Sequence, residues 1–166
     1  ITPENELSIA HELGHLWLLL LGFPKEGQYA DATRQEAYEK CFGPLRAIME
    51  HAIFYPWLNN KYKINLYKRE NQRLVDFIRN VLPKRQVDQI SLILNYIKFM
   101  TQSDDRYWQD RLDKAYSSAS LIGLKDKGET VLPSIRELAS TPPNHQLFIA
   151  KYRDVLRILP SGRRKK

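Results

Sequence analysis

The sequence lacks the features that mark disulfide-bonded, membrane-spanning, secreted and repeat proteins. It contains a single cysteine, Cys41, so no internal disulfide can form and nothing depends on an oxidising compartment. The longest apolar run, residues 16–21, is far shorter than the roughly 20 residues that a membrane-spanning helix needs. No secretory signal, internal repeat or low-complexity stretch is visible. We therefore expect a cytoplasmic protein without a membrane segment, although the first residue, Ile1, leaves open whether an upstream segment precedes it.

The length and the distribution of charge predict how the chain is divided into domains. With 166 residues, 43% of them apolar, the chain is predicted to form one globular domain over 1–160, followed by a basic tail at 161–166. The net charge of +7 is unevenly spread. Residues 1–60 hold 4 basic and 8 acidic groups, a net charge of −4, whereas residues 61–166 hold 22 basic and 11 acidic groups, a net charge of +11. The domain is thus divided into an acidic part, 1–60, and a basic body, 61–160.

Apolar side chains recur at spacings of three and four residues along most of the chain, which predicts helices and almost no strands. Thr2 and Pro3 are typical of a helix start, and Gly22 of its end. Further helices are predicted from Thr33, from Leu45 to the residue before Pro56, and along five apolar stripes beyond residue 66. We predict a mainly α fold of about seven helices that forms a compact domain around a buried first helix. The sequence leaves open whether a small N-terminal β-sheet is present or is missing.

The predicted first helix carries the residues HELGH, from His11 to His15, which match the pattern HExxH. Histidines four residues apart lie on one helix face, about 5 to 6 Å from each other, so both can bind one cation. A catalytic zinc ion uses three protein ligands and an open position, and Glu12 is suited to act as general base there. Alternatively, His11 and His15 are core side chains and Glu12 is an exposed helix charge. Burial of the helix on nearly all sides would favour the metal, because desolvated imidazoles and carboxylates need partners.

This motif, with Ser-Ile-Ala before it at 8–10 and Gly-Phe-Pro after it at 22–24, resembles the zincin metallopeptidases, on their gluzincin side. More narrowly it is similar to minimal gluzincins and to the ImmA/IrrE-like metallopeptidases of bacteria, archaea and phages. The resemblance covers about residues 5–60 and implies zinc as the cofactor. The sequence departs from the pattern in two ways. Zincins usually have a β-sheet before the motif helix, whereas ten residues precede His11 here, and the further histidine of the metzincins is absent.

The third metal ligand must come from another segment, for which the sequence offers several candidates. They are Glu26 and Asp31 in a loop, Glu36 and Glu39 in a polar helix, and Glu50 and His51 in the apolar stretch 45–55. The apolar stretch is predicted to pack against the first helix, so we expect Glu50 to be the ligand, with His51 as the alternative and Glu36 or Glu39 next. The adjacent pair also resembles the second gluzincin motif, in which a ligand Glu precedes a polar residue.

Adjacent residues of a helix point about 100° apart, so Glu50 and His51 are not expected to bind the same ion. If Glu50 is the ligand, His51 orients it or stabilises an oxyanion; if His51 is the ligand, Glu50 fixes its tautomer. Tyr55, one turn beyond His51, is a candidate oxyanion donor or a core tyrosine. His145 is a more remote candidate.

The sequence therefore predicts a zinc metallopeptidase acting on a peptide or protein substrate. In that reaction zinc polarises the scissile carbonyl, while Glu12 takes a proton from a zinc-bound water and passes it to the leaving amine. The alternative is a basic helical module that binds nucleic acid or an acidic protein, in which the HExxH helix is only structural or metal-stabilised. Its surface would be residues 61–85 and the tail. The two functions can also combine, with residues 61–85 docking the substrate. The basic residues concerned are Lys61, Lys63, Lys68, Arg69, Arg73 and Arg79, interleaved with Tyr62 and Tyr67, and the tail residues 163–166.

Overall fold

The computed structural model describes residues 2–23, 43–84, 86–140 and 142–159, and this part of the chain is helical. It contains seven α-helices and no strand, so the predicted mainly α fold is confirmed for these residues. The helices are α1 Pro3–Leu20, α2 Gly43–Tyr62, α3 Tyr67–Asp76, α4 Gln89–Gln102, α5 Arg106–Tyr116, α6 Ile122–Ser140 and α7 His145–Ile158. A π-helical turn, Phe77–Val81, and a short 3-10 helix, Leu82–Lys84, follow α3. The helix predicted from Thr33 lies outside the described residues.

Helix α1 begins and ends where the sequence predicts. The Thr2 hydroxyl accepts a hydrogen bond from the backbone N–H of Asn5 at 3.4 Å, and Pro3 occupies the first helical position. At the other end Gly22 has a φ of +86°, a conformation that glycine adopts without strain. The Phe23 N–H then donates to the Leu18 carbonyl at 3.0 Å and ends the helix. Both ends of the motif helix are thus fixed by local sequence.

Helix α2 is longer than predicted, because it continues through Pro56 to Tyr62. Proline removes one backbone hydrogen bond and clashes with the preceding turn, and on that ground we expected the helix to end before it. The prediction was wrong because packing beyond the proline compensates. Trp57 stacks on Trp17 of α1 with ring centroids 3.9 Å apart, and Leu58 is buried in the core. These contacts anchor the last turns of α2 against α1.

Helix α2 also lies at the centre of the described fold, in contact with α1, α4, α6 and α7. Ten of its residues are buried, among them Glu50 and His51. Its contact with α1 depends on Gly14, whose Cα faces the ring of the fully buried Phe54. A Cβ atom at position 14 would lie 2.6 Å from Phe54 Cε2, well inside van der Waals distance. The glycine of the HELGH motif therefore lets the two helices approach closely.

The prediction that α1 is buried on nearly all sides was wrong. Only Ala10, Gly14 and Leu18 are buried, on the face that meets α2. The opposite face exposes large apolar side chains, and Leu20 is 79% exposed. The exposed residues are Ile9, Leu13, Leu16, Leu20 and Leu21. Apolar composition did not indicate burial here, because the described helices cover only one side of α1. No described helix has the length and apolar character required to cross a membrane.

Replacing Gly14 with alanine should separate α1 from α2 and lower the free energy of unfolding by about 1 to 3 kcal/mol, as overpacking does in tight cores. The matched control is Gly123→Ala, because a Cβ atom at position 123, also in a helix, meets nothing within 4 Å. That variant should be neutral or slightly stabilised. Urea denaturation followed by circular dichroism measures both. Equal stability of the two variants would show that the close approach at Gly14 does not constrain the fold.

Candidate metal centre

Three histidines from α1 and α2 converge at one point. His11 Nε2 lies 2.8 Å from His51 Nε2, and His51 Nε2 lies 3.3 Å from His15 Nε2. The ligating nitrogens of the three side chains all lie within 4.8 Å of one another. Nitrogens that bind one tetrahedral zinc ion at 2.0 to 2.1 Å are separated by about 3.3 Å. The spacing of these atoms thus fits a shared metal ion.

The second nitrogen of each ring faces an oxygen atom. His11 Nδ1 lies 2.9 Å from Glu12 Oε1, and His15 Nδ1 lies 2.5 Å from Glu50 Oε2. His51 Nδ1 lies 3.0 Å from the amide oxygen of Gln102, at the end of α4. Ionised carboxylates and amide oxygens only accept hydrogen bonds, so each Nδ1 carries the proton in a neutral ring.

The orientation of the Gln102 amide is fixed by its other hydrogen bond. Its Nε2 donates to the backbone carbonyl of Ile48 at 3.2 Å, inside α2. A flipped amide would place its oxygen against that carbonyl oxygen and would lose the bond. Gln102 is also fully buried, so its amide has no solvent to compensate. The side chain therefore holds His51 in the tautomer with a free Nε2.

These tautomers turn three nitrogen lone pairs towards each other. Neutral imidazoles protonated at Nδ1 have only an acceptor at Nε2, so the close pair His11 and His51 cannot form a hydrogen bond between these atoms. A cation placed among the three nitrogens would satisfy all of them. Metal-bound histidines in proteins show the same arrangement, with the other ring nitrogen donating to a carboxylate or carbonyl oxygen. The donor set suits zinc and other imidazole-binding transition metals.

Burial favours the neutral, metal-binding form of His11 and His51. Desolvation lowers the pKa of His51 well below its ordinary value, although the hydrogen bond to Gln102 opposes the shift. Desolvation also lowers the pKa of His11, and the hydrogen bond with Glu12 opposes it. The pKa of Glu12 is lowered by its hydrogen bond with His11, so this carboxylate stays ionised at neutral pH. The site thus combines neutral His11 and His51 with an ionised Glu12 beside His11.

Glu50, which we expected to be the third ligand, is placed beside the cluster instead of in it. Its Oε2 meets His15 Nδ1, and its Oε1 accepts a hydrogen bond from Arg46 Nε at 2.6 Å. Both oxygens of this buried carboxylate are engaged, and neither belongs to the group of converging ligand atoms. The geometry therefore favours the alternative, His51, as the third ligand. Glu50 fixes the tautomer of His15, not that of His51 as we had considered.

Tyr55 packs against His51, one of the three converging histidines. Its ring stacks on His51 with centroids 4.7 Å apart and planes inclined by 15°. Its hydroxyl donates to Glu70 Oε1 at 3.4 Å, and burial raises its pKa, so it remains protonated. With its hydroxyl engaged and its side chain 1% exposed, Tyr55 has the contacts of a core tyrosine, the other interpretation of this residue.

The sequence interpretation missed Gln102 and Glu70. A signal for Gln102 was present, because Tyr96 and Phe99 precede it at spacings of three residues and are buried. A glutamine that continues a buried stripe requires buried hydrogen-bond partners. Nothing local distinguishes Glu70 from the exposed charges around it, since its burial depends on α3 meeting α2 and α4.

The remaining predicted residues lie elsewhere. Glu26, Asp31, Glu36 and Glu39 are outside the described residues. His145 begins α7, with its ring 6.4 Å from that of Phe23, and is not among the converging histidines. The predicted basic cluster is divided among different neighbours. Lys61 lies over Trp57 and Tyr62, Arg79 lies over Trp108, and Arg69 and Arg73 pair with Glu70.

Zinc titration distinguishes the two candidate third ligands. His51→Ala should abolish stoichiometric zinc binding, because it removes one of three donors. Glu50→Gln should keep one zinc per chain with an affinity about 10- to 100-fold weaker, the usual effect of losing a partner of a ligand. His145→Ala is the matched control and should bind like wild type, and circular dichroism checks that each variant folds. Loss of zinc in Glu50→Gln with retention in His51→Ala would reverse the assignment.

Comparison with known proteins identifies no family for this chain. A scan against protein-family models, a search of curated proteins and a search of solved structures all found no match. The resemblance to the zincin metallopeptidases thus rests on the motif residues alone and stays a prediction. What the described residues themselves provide is a group of three histidines that could hold a metal ion.

Proposed function

We propose that the protein is a zinc-dependent metallopeptidase in which His11, His15 and His51 hold the metal and Glu12 is the general base. One observation carries the proposal. Three Nε2 atoms converge while each Nδ1 faces an oxygen acceptor, and an ionised Glu12 lies beside the first of these rings. Zinc, when bound, supplies Lewis acidity towards a carbonyl oxygen and lowers the pKa of water to about 7.

The number and exposure of the donors favour a catalytic site over a structural one. Structural zinc sites are closed by four protein ligands, whereas catalytic sites use three and leave one position open. Among the described residues, the group of converging donors has three members. The side chains of His11 and His15 are 16% and 23% exposed, so the cluster opens to solvent on the α1 side. A substrate can therefore approach from that side.

Glu12 is suited to proton transfer at this opening. Its side chain is 77% exposed and it follows His11 directly on α1. An ionised carboxylate can accept a proton and then deliver it to a leaving amine. The hydrogen bond with His11 lowers the pKa of Glu12 and so weakens it as a base, and release of that hydrogen bond would restore its basicity. Of the described groups, its one hydrogen-bond partner is His11 Nδ1, so a rotation of the side chain frees it.

Glu12→Gln is the direct test, because the amide oxygen of glutamine can still accept from His11 Nδ1 while the group loses its basicity. Zinc content should be unchanged, and cleavage of a synthetic peptide mixture, followed by mass spectrometry, should fall at least about 100-fold. Glu6→Gln, an exposed change on the same helix, is the matched control and should retain activity. Undiminished cleavage by zinc-loaded Glu12→Gln would rule out Glu12 as the base, and absence of cleavage by zinc-loaded wild type would rule out the peptidase.

A further inference from the structure

A cavity of about 300 Å³ lies between α2 and α4, and His51 of the histidine cluster is part of its wall. Besides His51, α2 contributes Pro44, Ala47 and Ile48 to this wall. These residues recur at spacings of three and four, so one face of α2 lines the cavity. Cavities that bind small molecules in proteins have volumes from about 300 Å³ upwards. This cavity is therefore a candidate ligand site, and the proposed reaction does not use it.

Part of the cavity wall is the residue pair that fixes the tautomer of His51. His51 Nδ1 lies 3.0 Å from Gln102 Oε1, and both residues line the cavity. The other ring nitrogen of His51, Nε2, faces His11 and His15 instead. A molecule in the cavity would thus contact this proposed metal ligand and its hydrogen-bond partner without occupying the position of the metal.

The side chains that line the cavity favour a molecule with an apolar body and one negative charge. Apolar contacts are offered by four residues, Pro44, Ala47, Ile48 and Leu94. Among the described residues of the wall, Lys98 is the only lysine or arginine, and none is a carboxylate. The Lys98 ammonium has three N–H donors, and its contact with Glu70 Oε2 at 3.0 Å uses one of them. Donors therefore remain for a ligand.

The charge of Lys98 is only partly neutralised by Glu70. This buried carboxylate also accepts from Arg73 Nη1 at 2.9 Å, and Arg69 Nε lies 3.8 Å from the same oxygen, so three cations share one anion. Lys98 is 23% exposed and Pro44 is exposed, so small solutes can enter the cavity from solvent. A carboxylate that enters would form a charge-assisted hydrogen bond with Lys98.

We propose that this cavity binds a small carboxylic acid with an apolar body, and that the bound acid strengthens zinc binding at the neighbouring histidines. The acid excludes water from the hydrogen bond between His51 and Gln102, which strengthens that bond and so the orientation of the His51 ring. Its negative charge also favours a cation close by. The acid site is independent of the proposed peptidase activity, whereas the effect on zinc rests on the proposed metal centre.

Phenylacetate and its neutral amide, phenylacetamide, test the acid site on the metal-free protein. By calorimetry, wild type should bind phenylacetate about 10-fold more tightly than the amide, as expected for one charge-assisted pair. Lys98→Gln should bind both probes as weakly as wild type binds the amide. Lys151→Gln is the matched control and should keep the ratio, because Lys151 has a similar exposure and also pairs with a carboxylate.

A second variant, Asn95→Phe, replaces a residue of the cavity wall with a larger one and should weaken the binding of both probes. Circular dichroism checks that each variant folds. Equal or absent binding of the two probes by wild type would overturn the acid site, and so would an unchanged ratio in Lys98→Gln.

Zinc titration with and without saturating phenylacetate then tests the effect on the metal. Phenylacetate should tighten zinc binding by wild type about 5-fold, and zinc should tighten phenylacetate binding by the same factor, since coupling between two sites is reciprocal. Lys98→Gln should show neither effect. Equal zinc affinity with and without bound phenylacetate would overturn the coupling. Wild type that binds phenylacetate but no zinc would overturn the proposed metal centre, and the coupling with it, while supporting the acid site.

Discussion

The contact between α1 and α2 at Gly14 and Phe54 is the constraint on which the candidate site depends. Because residue 14 has no side chain, the two helices approach closely enough for His51 to meet His11 and His15. Fixed caps at Thr2 and Gly22 and the stacked Trp17 and Trp57 hold α1 along the rest of its length. The proposed metal ligands are thus positioned by helix packing, which is more exact than positioning by loops.

A second layer of side chains determines what those histidines can do. Gln102, Glu50 and Glu12 each accept from one Nδ1, so the lone pairs face inward. Gln102 belongs to α4 and is itself held by the backbone of α2, so the site is tied to the centre of the fold. Burial lowers the pKa of His51 and His11 and thereby keeps protons from competing for the same lone pairs.

Local sequence patterns predicted the mainly α fold, the ends of α1 and the convergence of His11 and His15, because caps and helical periodicity act within a few residues. Local patterns failed where contacts between distant parts of the chain determine the end of a helix or the position of a side chain. Pro56 did not end α2, because the next residue, Trp57, stacks on Trp17, which lies forty residues earlier in the chain. The choice between Glu50 and His51 depends on how α2 is rotated about its axis, which no local pattern records. The exposed apolar face of α1 shows that composition alone does not identify the buried side of a helix.

The proposed zinc site is tested most directly by a crystal structure of the zinc-loaded protein with anomalous data collected at the zinc absorption edge. We predict one strong anomalous peak about 2.0 to 2.1 Å from Nε2 of His11, His15 and His51, with solvent in the fourth position and Glu50 still on His15. A peak bound by the Glu50 carboxylate in place of His51 would contradict the ligand assignment. The absence of any peak at the three histidines would contradict the metal site itself.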